Sequence, residues 1–188
     1  MKLKITLTLS ISFIIFMLVL LFFYLIKGDS SRWQVALGGV MASALPTLLL
    51  FKKVNLFPIP IIVGYYLFLF CSLFLGSIED FYNRFKWWDA VLHFYKGIFM
   101  GFVGISLYKL LIATRIQARI SKWVIFLFVL SISVNATVLW EIYEFLGDLT
   151  FTHTMQSGGN TDTMYDMIIG MISGLLIAIY SMKRREKL

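Results

Sequence analysis

Apolar residues fall in long runs along this chain, and polar residues gather in short clusters between them. A helix that crosses a bilayer uses about 20 apolar residues. On that measure the runs predict six helices, at approximately 5–26, 33–51, 58–76, 88–112, 123–145 and 163–181. The separators have their own character. Lys27 to Arg32 is a short polar loop, and Lys52-Lys53 marks the next boundary. Glu79, Asp80, Arg84 and Lys86 lie in a polar connection. Thr114 to Lys122 is basic, Gly147 to Thr161 is rich in Gly and Thr, and the tail from Lys183 to Lys187 is basic. Pro46 should kink the second helix, and the third begins after Pro58 and Pro60. Six such helices with their connections fill almost the whole chain. The expected fold class is therefore all-α: a polytopic membrane helix bundle, with residues 1–188 as a single transmembrane domain.

Composition agrees. The 188 residues are 60% hydrophobic, with mean hydropathy +0.85, against about 45–50% apolar in ordinary soluble domains. The net charge of +7 does not point to nucleic acid, because Lys and Arg sit at the ends of apolar runs. They read as topology signals and lipid-headgroup contacts. With the N-terminus inside, the inner segments hold Lys2, Lys4, Lys52, Lys53, Arg115, Arg119, Lys122, Lys183, Arg184, Arg185 and Lys187, with Lys109 near an inner helix end. The outer loops hold only Lys27, Arg32, Arg84 and Lys86. The positive-inside rule favours N-in and C-in. The run from Ile5 to Ile26 is too long for a signal-peptide core and is expected to stay as the first helix. Cys71 is the lone cysteine, so no intrachain disulfide forms.

Ionisable residues within the spans concentrate in the last three helices. Asp89, His93 and Lys96 are spaced i, i+4, i+7 and share one face of the fourth helix. Gly97, Gly101 and Gly104 continue that stripe, as small residues do where another helix comes close. Glu141, Glu144 and Asp148 share a face of the fifth helix. Asp162 and Asp166 open the sixth, followed by Gly170, Gly174 and Ala178. Glu141 lies about 27 Å along its helix from Trp123 at 1.5 Å per residue. The three clusters are therefore expected at one depth, near the outer boundary.

So many acids in a dry site must be protonated, hydrated or neutralised by a cation. Carboxylates with a histidine are ligands for a divalent metal, which makes His93, Glu141, Glu144, Asp162 and Asp166 the candidate metal set. Paired acids with a histidine also serve as general acid and base, which makes Asp89, His93, Glu141, Glu144 and Asp166 the candidate catalytic set. The plainer readings stand beside these. Lys96 is a structural counter-ion, snorkels, or meets an anionic headgroup. Asp148 and Asp162 are loop and cap residues. Trp87, Trp88, Trp123 and Trp140 form an interfacial belt, and Gly158-Gly159-Asn160 is a turn. Three functions follow: a membrane enzyme or lipid-binding protein with a lipid-linked substrate, an ion- or proton-coupled transporter, and a structural or regulatory subunit whose polar cluster only locks helices together. No oligomeric state is legible.

The run Trp88-Asp89-Ala90-Val91-Leu92-His93-Phe94-Tyr95-Lys96-Gly97 resembles the D-x-x-x-H-F-x-x-G segment of the YjdF-like family of bacterial inner-membrane proteins. Glu141-Ile142-Tyr143-Glu144 resembles its E-x-x-E segment, and Asp162-Thr163-Met164-Tyr165-Asp166-Met167 its D-T-x-x-D-M segment. The three occur in the family's order over roughly residues 79–175. The layout is also distantly similar to VanZ-like proteins, some linked to glycopeptide resistance at the cell envelope. The resemblance implies a multi-pass protein of the bacterial plasma membrane with one shared site. It names no activity for that site, and fold-level analogy does not supply one. Lys96 departs from the small or polar residue that the resemblance implies there.

Overall fold

Each of the six apolar runs is helical in the structure, a computed structural model that describes residues 2–51, 57–117, 119–150 and 159–184. Lys52 and Lys53, Gly158, and Arg185, Glu186 and Lys187 lie outside the described residues. The elements are α1 (Lys2–Lys27), α2 (Ser30–Phe51), α3 (Ile59–Leu69, continued by a π-helical stretch Phe70–Ile78), α4 (Phe81–Arg84), α5 (Trp88–Leu111), α6 (Thr114–Gln117), α7 (Lys122–Thr150) and α8 (Gly159–Arg184). The described residues contain no strand. Among the described residues, five helices have the length and hydropathy to cross a membrane: α1, α3 with its π-helical continuation, α5, α7 and α8. The remaining long helix, α2, runs for 22 residues and carries Gln34, Gly38, Gly39, Ser43, Pro46 and Thr47.

Local chemistry explains where the boundaries differ from those expected. The first loop shrinks to Gly28 and Asp29. Gly28 sits at φ +70°, its N–H donates to Leu25 O, and the Asp29 N–H donates to Tyr24 O. This is the Schellman closure, which wants a residue free of a Cβ at that position. Asp29 then caps α2: its carboxylate accepts from the Arg32 backbone N–H at 3.1 Å and from Arg32 Nη1 at 2.7 Å. The guanidinium and backbone N–H of Arg32 together hold the Asp29 carboxyl below the usual range. The helix therefore starts at Ser30, three residues before the apolar run does. At the other end, α7 continues to Thr150, whose hydroxyl donates back to Leu146 O at 2.7 Å. Asp148 thus stands on the helix, not in a loop.

The chain forms two compact units, Met1–Trp88 and Asp89–Leu188. In the first, Pro46 has no N–H to give the carbonyl of Ala42. The Tyr65 hydroxyl of α3 donates to that carbonyl at 2.8 Å, and Tyr66 donates to Ser43 O at 2.9 Å while also meeting Ser10 Oγ. Arg32 Nε donates to Ile78 O at 2.9 Å, where the π-helical stretch ends. In the second unit the buried residues of α7 recur every fourth position: Ile125, Val129, Ser133, Thr137 and Glu141. This ridge faces α5 and α8.

The distribution of polarity is inverted relative to a soluble protein. Thr6, Ser10, Ser43, Ser72, Ser133, Thr137, Ser173 and Ser181 are buried, whereas Val19, Leu111 and Leu139 are more than 60% exposed. Their hydroxyls mostly bond carbonyls of their own helix, as with Thr137 to Ser133 O and Ser173 to Gly170 O. Small polar residues inside and large apolar residues outside are what helices need in a lipid solvent.

Candidate functional site

The site is assembled where α5, α7 and α8 approach one another closely. A Cβ added to Gly97 would strike Ser173 Oγ and the Gly170 carbonyl of α8, and one added to Gly170 would strike the Thr137 side chain of α7. Ser133 of α7 donates to Gly97 O at 2.9 Å. Gly101 meets Ile177 and Gly174 meets Ser133 in the same manner. The small-residue stripes thus seat the three helices within backbone reach, no more than about two turns from Asp89, His93 and Lys96 on α5, Glu141 and Glu144 on α7, and Asp166 on α8.

His93 is at the centre, 2% exposed. Its two ring nitrogens face different partners. Nε2 lies 3.5 Å from Asp89 Oδ1, and the ring also meets the backbone of Asp166. Nδ1 lies 3.4 Å from Glu141 Oε1 and 3.1 Å from Lys96 Nζ. Lys96, itself buried, holds its ammonium 4.7 Å from the centre of the Trp140 ring, and the charges of Glu141 and Glu144 favour that ammonium. Trp140 Nε1 donates to Glu144 Oε1 at 2.7 Å.

Glu141 is 4% exposed, and among the described residues neither of its carboxylate oxygens accepts a hydrogen bond. Thr163 of α8 stands toward this carboxylate. An ionised carboxylate so placed costs several kcal/mol unless a cation balances it.

Among the described residues, two groups could offer ligand atoms to an ion, and His93 belongs to both: Asp89–His93–Asp166 and His93–Glu141–Glu144, each with its atoms within 4.8 Å of one another. A neutral imidazole has one lone-pair nitrogen and one N–H. If Nδ1 faces a cation with Glu141 and Glu144, Nε2–H faces Asp89. That is the outer-partner arrangement that orients metal-bound histidines. The 3.4 Å between Nδ1 and Glu141 Oε1 also matches two corners of a tetrahedral site, which lie about 3.3–3.4 Å apart for bonds of about 2.0–2.1 Å.

The structure brings together Asp89, His93, Glu141, Glu144 and Asp166. Asp162 sits half-buried in the first turn of α8, since that helix begins at Gly159, and belongs to neither group. Asp148 likewise stays outside both. Trp140, read from sequence as interfacial belt, instead points its indole into the cluster. Its i, i+4 spacing to Glu144 was the available signal. Ser133 and Thr137 were signalled only by the four-residue steps that lead from Ser133 through Thr137 to Glu141.

Five membrane-length apolar helices, a polar interior and an apolar exterior define the class: a multi-pass integral membrane protein. Within that class the chain belongs to the family described as "Predicted membrane protein (DUF2238)", whose model matches residues 8–187. An "Uncharacterized protein" of Thermotoga maritima is 31% identical over 99 residues, which covers 52% of this chain and 49% of that protein. The chain thus matches about half the length of this curated relative. No solved structure matches the chain.

Proposed function

We propose that this is a multi-pass protein of the bacterial plasma membrane that holds a divalent cation between α5, α7 and α8 and uses it to bind or act on an envelope lipid. The reading treats the chain as one transmembrane domain of six crossings, N-in and C-in, with the site at the outer face. The observation that carries it is the pair Glu141 and His93: a buried carboxylate without a hydrogen bond, held at ligand spacing from an imidazole nitrogen. Glu144 completes the near set, and Asp89 and Asp166 orient the ring. A bound ion polarises a phosphoryl or carbonyl oxygen. Between α7 and the lipid, the exposed Ile142, Tyr143 and Phe145 flank the half-buried Glu144 and suit an acyl chain or isoprenoid that enters sideways. The likeness of the three acid-bearing segments to the YjdF-like pattern supports a common site; the VanZ-like likeness supports only an envelope setting.

The test is metal content by mass spectrometry on protein purified in mild detergent. Wild type should carry about one equivalent of divalent metal after loading. His93→Ala and Glu141→Gln should each lose it while retaining their elution profile. Wild type that takes up no metal refutes the reading. It would favour a proton-coupled carrier instead, for which the contiguous exchangeable groups Asp89, His93 and Lys96 form a relay. That carrier predicts liposome flux abolished by Glu144→Gln. A purely structural subunit predicts that the same substitutions lower the melting temperature and change no ligand.

A further inference from the structure

Lys96 competes for the same corner of the site. Its Nζ is 3.1 Å from Nδ1 of His93, the nitrogen whose lone pair would face a cation held with Glu141 and Glu144. One lone pair serves one partner, so the ammonium and a metal ion exclude each other there. The ammonium is also well placed as a resident: it lies over the Trp140 face at 4.7 Å, a cation–π arrangement that strengthens when desolvated, and the charges of Glu141 and Glu144 favour it there. Asp89 and Asp166 also attract the ammonium, and a flexible four-carbon stem lets it move off Nδ1 when an ion arrives.

Resting on the metal-site reading above, we infer that Lys96 is the resident counter-ion of Glu141 and Glu144, and that a divalent ion binds only by displacing its ammonium from His93. Lys96 therefore sets the affinity of the site and selects for ions whose bonds to imidazole and carboxylate outweigh the displaced contacts. Soft and borderline ions such as zinc meet that condition better than magnesium, which sheds water reluctantly and favours oxygen ligands.

The experiment titrates chelator-stripped, full-length protein in detergent with zinc and, separately, magnesium, and counts bound metal after equilibrium dialysis. Lys96→Met should bind one zinc at least tenfold more tightly than wild type and should gain measurable magnesium binding. Lys96→Arg, which keeps the charge, should bind zinc no more tightly than wild type. Adding His93→Ala to Lys96→Met should abolish the gain. If Lys96→Met does not fold, Lys96→Gln carries the same expectation. Zinc should also change the indole emission of wild type but not of Trp140→Phe, because the ammonium leaves that ring. Equal zinc affinity in wild type and Lys96→Met, or weaker binding in the variant, overturns this inference and leaves the metal site standing. So does stoichiometric zinc in wild type without a Trp140 signal. Absence of zinc from wild type and variant alike removes the metal site itself, and this inference with it.

Discussion

At the scale of single residues, chemistry here depends on which glycines are crowded. Gly97 meets the Gly170 carbonyl across the α5–α8 contact, whereas Gly38, exposed on α2, has nothing within 4 Å of a would-be Cβ. Gly97→Val should destabilise by about 1–3 kcal/mol through overpacking against backbone, and the site should open with it. Gly38→Ala should leave stability equal or raise it by about 0.5–1 kcal/mol, since alanine is the better helix former. Thermal melts in one detergent compare the two. The sequence shows that Gly97 lies on the His93 face; it does not show that Ser173 and Gly170 are what it meets. Trp140 teaches the same lesson. Aromatic residues near a helix end read as belt by default, and only the neighbouring α5 supplies the ammonium that makes its ring a partner.

At the scale of elements, the long helices are plain in the sequence because a twenty-residue apolar run admits no other structure in lipid. Their internal irregularities depend on neighbours. Pro46 announces a missing donor, but which group satisfies the Ala42 carbonyl is decided by α3. Tyr65→Phe should lower stability by about 1–2 kcal/mol, the penalty for a buried acceptor left unpaired. Hydrogen exchange should rise around residues 42–47 and stay unchanged in α7 and α8. The π-helical stretch Phe70–Ile78 carries no composition signal. Its register is held by the Glu79 N–H donating to Phe74 O and by Arg32 Nε donating to Ile78 O, a contact between residues 46 apart in sequence. The extension of α7 to Thr150 was hidden for a different reason: Gly147 and Thr150 favour loops on average, and a helix already stabilised by its preceding buried and apolar residues runs through them.

At the scale of the whole molecule, orientation is a prediction of charge placement. In a Cys71→Ser background, a single cysteine at Lys86 should react with an impermeant maleimide in intact cells. One at Lys183 should react only after permeabilisation. The opposite pattern would invert the topology and place the acid cluster at the cytoplasmic face. What the sequence by itself determined is the solvent and the class of fold: long apolar runs must be helices in lipid, because every backbone polar group there needs a partner within its own segment. It also determined which helix faces carry Asp89, His93, Glu141, Glu144 and Asp166, because helical spacing is local. Only the tertiary structure decided which of those acids gather round His93, which of its nitrogens each one faces, and that Lys96 stands beside them. These depend on the close approach of three helices at Gly97, Gly170 and Ser133, and packing contacts between distant segments leave no periodicity along the chain.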